Sequence, residues 1–231
     1  MCGRYTVTAN QNKIAKRFKV SVPDAYEPRY NAAPTQALPV ITNTLPDEVQ
    51  MFHWGLIPKW AKNRSISQKL INARAETLNE KASFKQSLQT RRCIIPADGF
   101  YEWKQVGKKQ KTPYRMALAS GEPFAFAGLW EAFEDEGNTM STFTIITTEP
   151  NPMVADIHDR MPVILKPDDE ALWLGDKLST EELVKLLGPY DESAMTRYTV
   201  SIRVNKPDYD SPDLIQAAPA SDQFGNYTLF N

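Results

Sequence analysis

Only two cysteines and two histidines occur in the chain, and these small numbers exclude several classes of protein. Cys2 and Cys93 cannot build the disulfide framework of a small secreted domain. With His53 and His158 as the only imidazoles, a Cys/His zinc site is disfavoured, and no metal or other cofactor is expected. No run approaches eighteen apolar residues, so no membrane-spanning helix and no membrane association are expected. The first twenty residues hold Arg4, Lys13, Lys16 and Arg17 but no apolar stretch. A secretory signal is therefore not expected, and a cytoplasmic location is. Gly/Ser linkers, internal repeats and low-complexity tracts are also missing.

What is there fits one folded unit over residues 1–231. Hydrophobic residues make up 42% and charged residues 24%, enough for a sizeable core. The net charge of −1 conceals an uneven chain. Residues 1–115 carry 20 Lys and Arg against 8 Asp and Glu, whereas residues 116–231 carry 7 against 20. Such a chain either interleaves its charges within one domain or presents a basic face that attracts phosphate.

Ile14 and Phe18, spaced i, i+4 after Asn10, predict a short helix. Leu38 to Thr42 and Val49 to Trp54 predict two strands around a Leu45-Pro46-Asp47 turn. Leu78, Phe84 and Leu88 suggest a broken amphipathic helix over 76–89. Strands are expected at Cys93-Ile94-Ile95 and Phe100 to Trp103, flanking Asp98-Gly99, with a polar hairpin loop over 107–111 before 113–119. Phe124 to Trp130 and Thr142 to Thr148 are rich in β-branched and aromatic residues, as strands are. Short helices are expected over 168–174 and 180–187, and a late strand over 198–204. Strands dominate and no βαβ rhythm appears. The expected class is α+β: one compact domain with a mostly antiparallel, barrel-like β core and short peripheral helices.

Position 2 carries distinct chemistry. Removal of Met1 would leave Cys2 with a free α-amine beside its own thiol. At pH 7 roughly one α-amine in seven is unprotonated, against about one lysine in 2,500. The amine can condense with an aldehyde to an imine. The thiol can then close on the imine carbon as a five-membered thiazolidine, at high effective molarity. The alternative is a small buried hydrophobe with no such role.

Met1-Cys2-Gly3-Arg4-Tyr5 closely resembles the start of the SRAP family, the SOS-response-associated peptidases or abasic-site processing proteins. Other segments resemble the family in the same order. They are 29–35 (RYNAAPT), 54–60 (WGLIPKW), 71–77 (INARAET), 92–97 (RCIIPA) with 99–103 (GFYEW), and 157–162 (IHDRMP). Val204-Asn205 and Asp213-Leu214-Ile215 fit its C-terminal part. Some relatives carry an arginine just before the phenylalanine matching Phe84; here Ala82 and Ser83 stand there. The resemblance implies an α+β domain with a barrel-like core. It also implies a covalent, protective cross-link to abasic sites in single-stranded DNA during the DNA damage response. A monomer is expected.

The resemblance also places residues. Cys2, Asn72, Glu102 and His158 would form the catalytic set. Arg4, Trp60, Arg74 and Arg160 would bind DNA. Glu102 lies between Tyr101 and Trp103, where desolvation would raise a carboxyl pKa for proton transfer; the alternative is a solvent-facing strand position. His158 can relay protons near neutrality or be a structural loop histidine. Asn72 can orient an opened sugar or simply make a turn. The three arginines can grip phosphates, or be solvated at the surface or paired with Glu76 or Asp159. Trp60 can stack on an unpaired base, whereas Trp54, His53 and Cys93 read as structural. Two other functions compete with cross-linking. One is a thiol peptidase or autopeptidase built on Cys2, His158 and Asn72; the other is non-covalent binding of single strands. A minor lyase output would follow if the imine lost its β-phosphate.

Overall fold

The computed structural model describes residues 2–135 and 137–227, so Met1 lies outside the described residues. The strands are β1 (Tyr5–Val7), β2 (Arg29–Ala32), β3 (Ala37–Thr42), β4 (Leu45–Trp54), β5 (Asn72–Arg74), β6 (Arg92–Ala97) and β7 (Gly99–Gln105). They continue as β8 (Lys111–Leu118), β9 (Phe124–Asp135), β10 (Asn138–Thr148), β11 (Met161–Pro162), β12 (Ile164–Leu165) and β13 (Met195–Thr199). The helices are short: α1 (Gln11–Phe18), α2 (Lys85–Thr90), α3 (Pro152–Ala155), α4 (Pro167–Leu174) and α5 (Thr180–Lys185).

Five strands close a barrel in the order β4–β3–β6–β9–β10. Its seam is a parallel pairing of β10 with β4, Thr142 opposite His53 and Phe143 opposite Trp54. Closure leaves these strands with no free edge. At the seam Gly55 turns away with φ +127, and a Cβ there would meet the Ser67 carbonyl oxygen at 2.7 Å. Only glycine suits that backbone and that approach. A second, antiparallel sheet runs β13–β8–β7–β1–β2. The class is the expected α+β with a barrel-like core, although β5 and β4 both join β10 in parallel.

The main core is aromatic. Tyr5, Trp54, Phe100, Phe126 and Phe143 are essentially inaccessible. Tyr5 meets Trp54 and Phe126 edge-on with centroids 5.3 and 5.8 Å apart, a favoured ring geometry. Tyr5 comes from β1 and the other two from the barrel, so this contact pins the second sheet against it. Burying each such side chain contributes about 1.5–3 kcal/mol.

Several boundaries differ from expectation for local reasons. The β3–β4 turn sits at Asn43-Thr44, because the Thr42 hydroxyl accepts from the Leu45 amide at 3.2 Å. The 76–89 segment splits into a 3-10 turn at Ala75–Thr77 and α2, while Leu78, Phe84 and Leu88 are all buried as the spacing implied. The late strand ends at Thr199. Ser201 caps a 3-10 turn, Ile202–Asn205, by accepting from the Arg203 amide. β6 and β7 follow each other directly yet belong to different sheets, with Asp98 as the crossing residue.

Candidate active site

The second sheet explains how the N-terminus is held. β1 lies between β2 and β7, with Tyr5 opposite Ala32 and Phe100. The Arg4 carbonyl accepts from the Tyr101 amide at 3.0 Å, extending the pairing toward Cys2. Cys2 is fully buried, and its thiol donates a weak hydrogen bond to the Arg4 carbonyl at 3.8 Å. Burial pushes the thiol pKa well up, and the Glu102 charge adds to this. At neutral pH the group is a thiol.

Asn72 opens β5, which pairs in parallel with β10 through Ile145. Its amide Nδ2 donates to the Cys2 carbonyl at 2.8 Å. Its Oδ1 is buried and accepts no hydrogen bond among the described residues. A buried acceptor left without a donor is costly, so Oδ1 is poised for an incoming N–H or O–H.

Glu102 stands on β7 and is 3% exposed, which removes the solvent-facing alternative. Desolvation lifts its carboxyl to about 7. Glu102 and His158 line one open cleft of about 710 Å³, together with Trp103 and Asn205. The Trp103 indole donates to the Asn205 side-chain oxygen at 2.7 Å, bracing that wall. His158 follows α3 and is half-buried. Its Nδ1 lies 3.0 Å from the Arg160 amide, which donates to it. Burial lowers the imidazole pKa and the Lys111 cation acts the same way, against the exposed Asp159 carboxylate 2.8 Å from Nδ1.

The proposed DNA-binding residues divide. Arg74 and Arg160 meet at Thr147 of β10. Arg74 pairs with it in the ladder, and Arg160 donates to its carbonyl at 2.7 Å. Arg160 also grips Glu76 through two hydrogen bonds of 2.8 and 3.0 Å. Arg74 is exposed and makes no ion pair among the described residues. Arg4 reaches inward, donating to Asn31 Oδ1 at 2.9 Å and to the Val204 carbonyl at 2.7 Å. Asn31, fully buried, also donates to the carbonyls of Lys206 and Tyr209. Arg4 therefore ties β1 to the C-terminal segment. Trp60 is 57% exposed on the loop after β4 and does not line the cleft. His53 bonds the Thr35 carbonyl and Cys93 is buried, both structural as expected.

Three further residues line the cleft that no motif singles out: Lys109, Lys111 and Gln223. The lysine run was visible as a polar loop, but nothing in the spacing joins it to residue 223. A second hollow of about 790 Å³ lies beside α1 and α4. Two of its three cations are already committed, and the third, Lys19, is exposed. Arg17 pairs with Glu170 at 2.6 Å, and Arg92 donates only to carbonyls. The cleft is the better candidate site.

The arrangement is a buried Cys2 within electrostatic reach of Glu102, a high-pKa carboxyl that lines a cleft together with an imidazole. The family of SOS response associated peptidases (SRAP) matches residues 1–207, and the chain belongs to it. The abasic site processing protein YoqW of Bacillus subtilis (strain 168) is 48% identical over 223 residues, which span 94% of this chain and 100% of that protein. The abasic site processing protein HMCES of Rattus norvegicus is 32% identical over 239 residues, spanning 86% of this chain and 67% of that protein. A crystal structure of a protein from Bacteroides thetaiotaomicron superposes with a TM-score of 0.86 at 32% identity, covering 94% of this chain and 100% of that one.

Proposed function

We propose that this protein processes abasic sites in single-stranded DNA by forming a thiazolidine through Cys2, exposed as the amino terminus once Met1 is removed. The observation that carries the reading is the placement of Cys2. Its carbonyl is held by Asn72, and the Glu102 charge acts on its thiol.

The chemistry uses the groups in order. The opened abasic sugar bears an aldehyde at C1′. The Cys2 amine attacks it, giving a carbinolamine. Glu102, titrating near 7, is protonated often enough to hand a proton to the departing hydroxyl, which leaves as water. The resulting iminium carbon then takes the Cys2 sulfur, and the S–H proton goes to the Glu102 carboxylate. One water is lost overall, and C–N and C–S bonds are formed. The buried Asn72 Oδ1 would accept from the sugar or the amine. His158 would supply the proton that assists reopening. Loss of the β-phosphate from the iminium would make the protein a lyase as a minor output.

A thiol peptidase reading fits less well. Such an enzyme works through a thiolate, and burial here holds the thiol protonated. The test is intact mass after mixing with an abasic oligonucleotide. Protein lacking Met1 should gain the oligonucleotide mass less one water, and Cys2→Ala should gain nothing. Equal cross-linking by Cys2→Ala in a denaturing gel would end the thiazolidine reading.

A further inference from the structure

The outer rim of the cleft is built by two segments far apart in sequence. Residues 103–121 contain no acidic residue, and Lys108, Lys109 and Lys111 are exposed at the tip joining β7 to β8. Among the described residues none of these three forms an ion pair. Against this tip lies a turn near the C-terminus. The Gln223 side chain bridges it, accepting from the Lys111 amide at 2.6 Å and donating to the Lys109 carbonyl at 2.5 Å.

The turn has a fixed shape. The Asp222 carboxylate is nearly inaccessible, and it accepts from the Phe224 and Asn226 amides, each at 2.9 Å. Its charge is thus spent inside the turn, not opposite the lysines. The Asp222 amide and carbonyl bond Asn226 and Gly225, and Gly225 takes φ +86. The effect is to hold Phe224 outward, 68% exposed, and Tyr227, bridged to Ser221 across the turn, is 74% exposed. Val106 on the lysine tip is exposed too, so the two segments that Gln223 joins carry three of the six exposed large hydrophobic residues among those described. Exposed apolar area grouped in this way marks a contact surface. Aromatic faces among unpaired lysines match one ligand chemistry, an unpaired base on its phosphate backbone. The turn lies beyond residues 1–207, so the family match assigns it nothing.

We propose that this rim holds a nucleotide flanking the abasic site, with Phe224 stacked on its base and Lys109 and Lys111 neutralising its phosphates. The proposal rests on the reading of the cleft as an abasic-site centre. It makes the protein a reader of the intact strand beside the lesion as well as of the aldehyde.

The test measures non-covalent affinity for two single-stranded oligonucleotides carrying a tetrahydrofuran abasic analogue, which has no aldehyde. One keeps its flanking bases, and the other has the analogue at the flanking positions as well. Phe224→Ala should bind the first about 5- to 100-fold more weakly than wild type and the second equally well. Phe224→Trp should restore the loss. Lys109→Ala and Lys111→Ala should each lower the salt slope by about 0.7 on both oligonucleotides. An unchanged affinity of Phe224→Ala, or the same loss on both oligonucleotides, overturns the proposal. Covalent capture of a true abasic oligonucleotide by the wild-type protein is scored separately. Its absence would refute the cleft chemistry while the binding cycle still reports on the rim.

Discussion

Glu102 is where burial and chemistry meet most directly. Its carboxyl is raised by desolvation to about 7 from an ordinary 4.5. Between those values the folded chain holds a proton that the unfolded chain has released. The resulting stabilisation is complete below about 4.5 and is lost as pH rises through about 7. Glu102→Gln removes the ionisable group, so its unfolding free energy should vary less over that window, and above pH 7 the variant should be more stable on the order of 3 kcal/mol. Urea titrations at several pH values measure this. The same variant should slow adduct formation toward the lower end of about 10²–10⁴-fold, because aminothiols trap aldehydes unaided. Both rates should rise as the Cys2 amine deprotonates, and only the wild-type rate should carry a further bend near pH 7. His158 behaves oppositely. Its pKa is depressed by burial, so the ring is neutral at pH 7 and gains its proton only as pH falls. Release of a preformed adduct, followed by exchange onto a longer labelled oligonucleotide, should quicken with falling pH. In His158→Gln it should be slower and lose that dependence; exchange at the wild-type rate would remove His158 from the release step.

At the scale of elements, two buried charges hold the strands that carry the site. Asp98 sits where the chain leaves the barrel for the second sheet. It accepts from the hydroxyls of Thr6 and Thr8 at 2.6 and 2.8 Å and from Arg115 at 3.2 Å. A Cβ on Gly99 would lie 2.6 Å from the Arg115 guanidinium, so this network requires glycine there. Arg92, on β6, donates to Leu88 and Gln89 at the end of α2 and to Trp173 and Gly175 at the end of α4. It satisfies carbonyls that helix ends leave open. Arg92→Met should therefore cost about 3 kcal/mol, seen as a lower urea midpoint with unchanged slope. These devices also show what sequence patterns carry. The i, i+4 spacing and Asn10 cap located α1, and the runs rich in β-branched and aromatic residues located β9 and β10. The motif around Asn72 was legible, but its pairing with β10 was not, because a three-residue strand has no period of its own. The 198–204 strand was misread because a capped 3-10 turn and a strand end both offer buried Val204 and polar neighbours. Nothing local announces that β6 and β7 part company at Asp98, since that depends on threonines some ninety residues earlier.

Across the whole molecule the charge asymmetry acquires a location. Four acids of the second half sit at helix starts: Asp168, Asp169 and Glu170 in the first turn of α4, and Glu182 in the capping box of α5. There they complement the helix dipole, and Glu182 accepts from the Ser179 backbone amide. Lys109 and Lys111 at the cleft, and the exposed Arg74 on β5, form no ion pair among the described residues, which leaves them for a phosphate backbone. The arginines should then separate in a salt titration. Arg74 is exposed at the end of the strand that carries Asn72, so Arg74→Ala should lower the slope of log affinity against log salt for undamaged single-stranded DNA by about 0.7. Arg160 is held by Glu76 and the Thr147 carbonyl, and Arg4 by Asn31 and the Val204 carbonyl. Removing either leaves buried acceptors without donors, so both variants should lose stability even without DNA. A slope change in Arg160→Ala larger than in Arg74→Ala would mean that Arg160 exchanges Glu76 for phosphate on binding. In that case Glu76→Gln, which weakens the competing pair, should tighten binding most at low salt. An unchanged slope in Arg74→Ala would place the strand elsewhere, and the exposed end of β5 would carry no part of the DNA path.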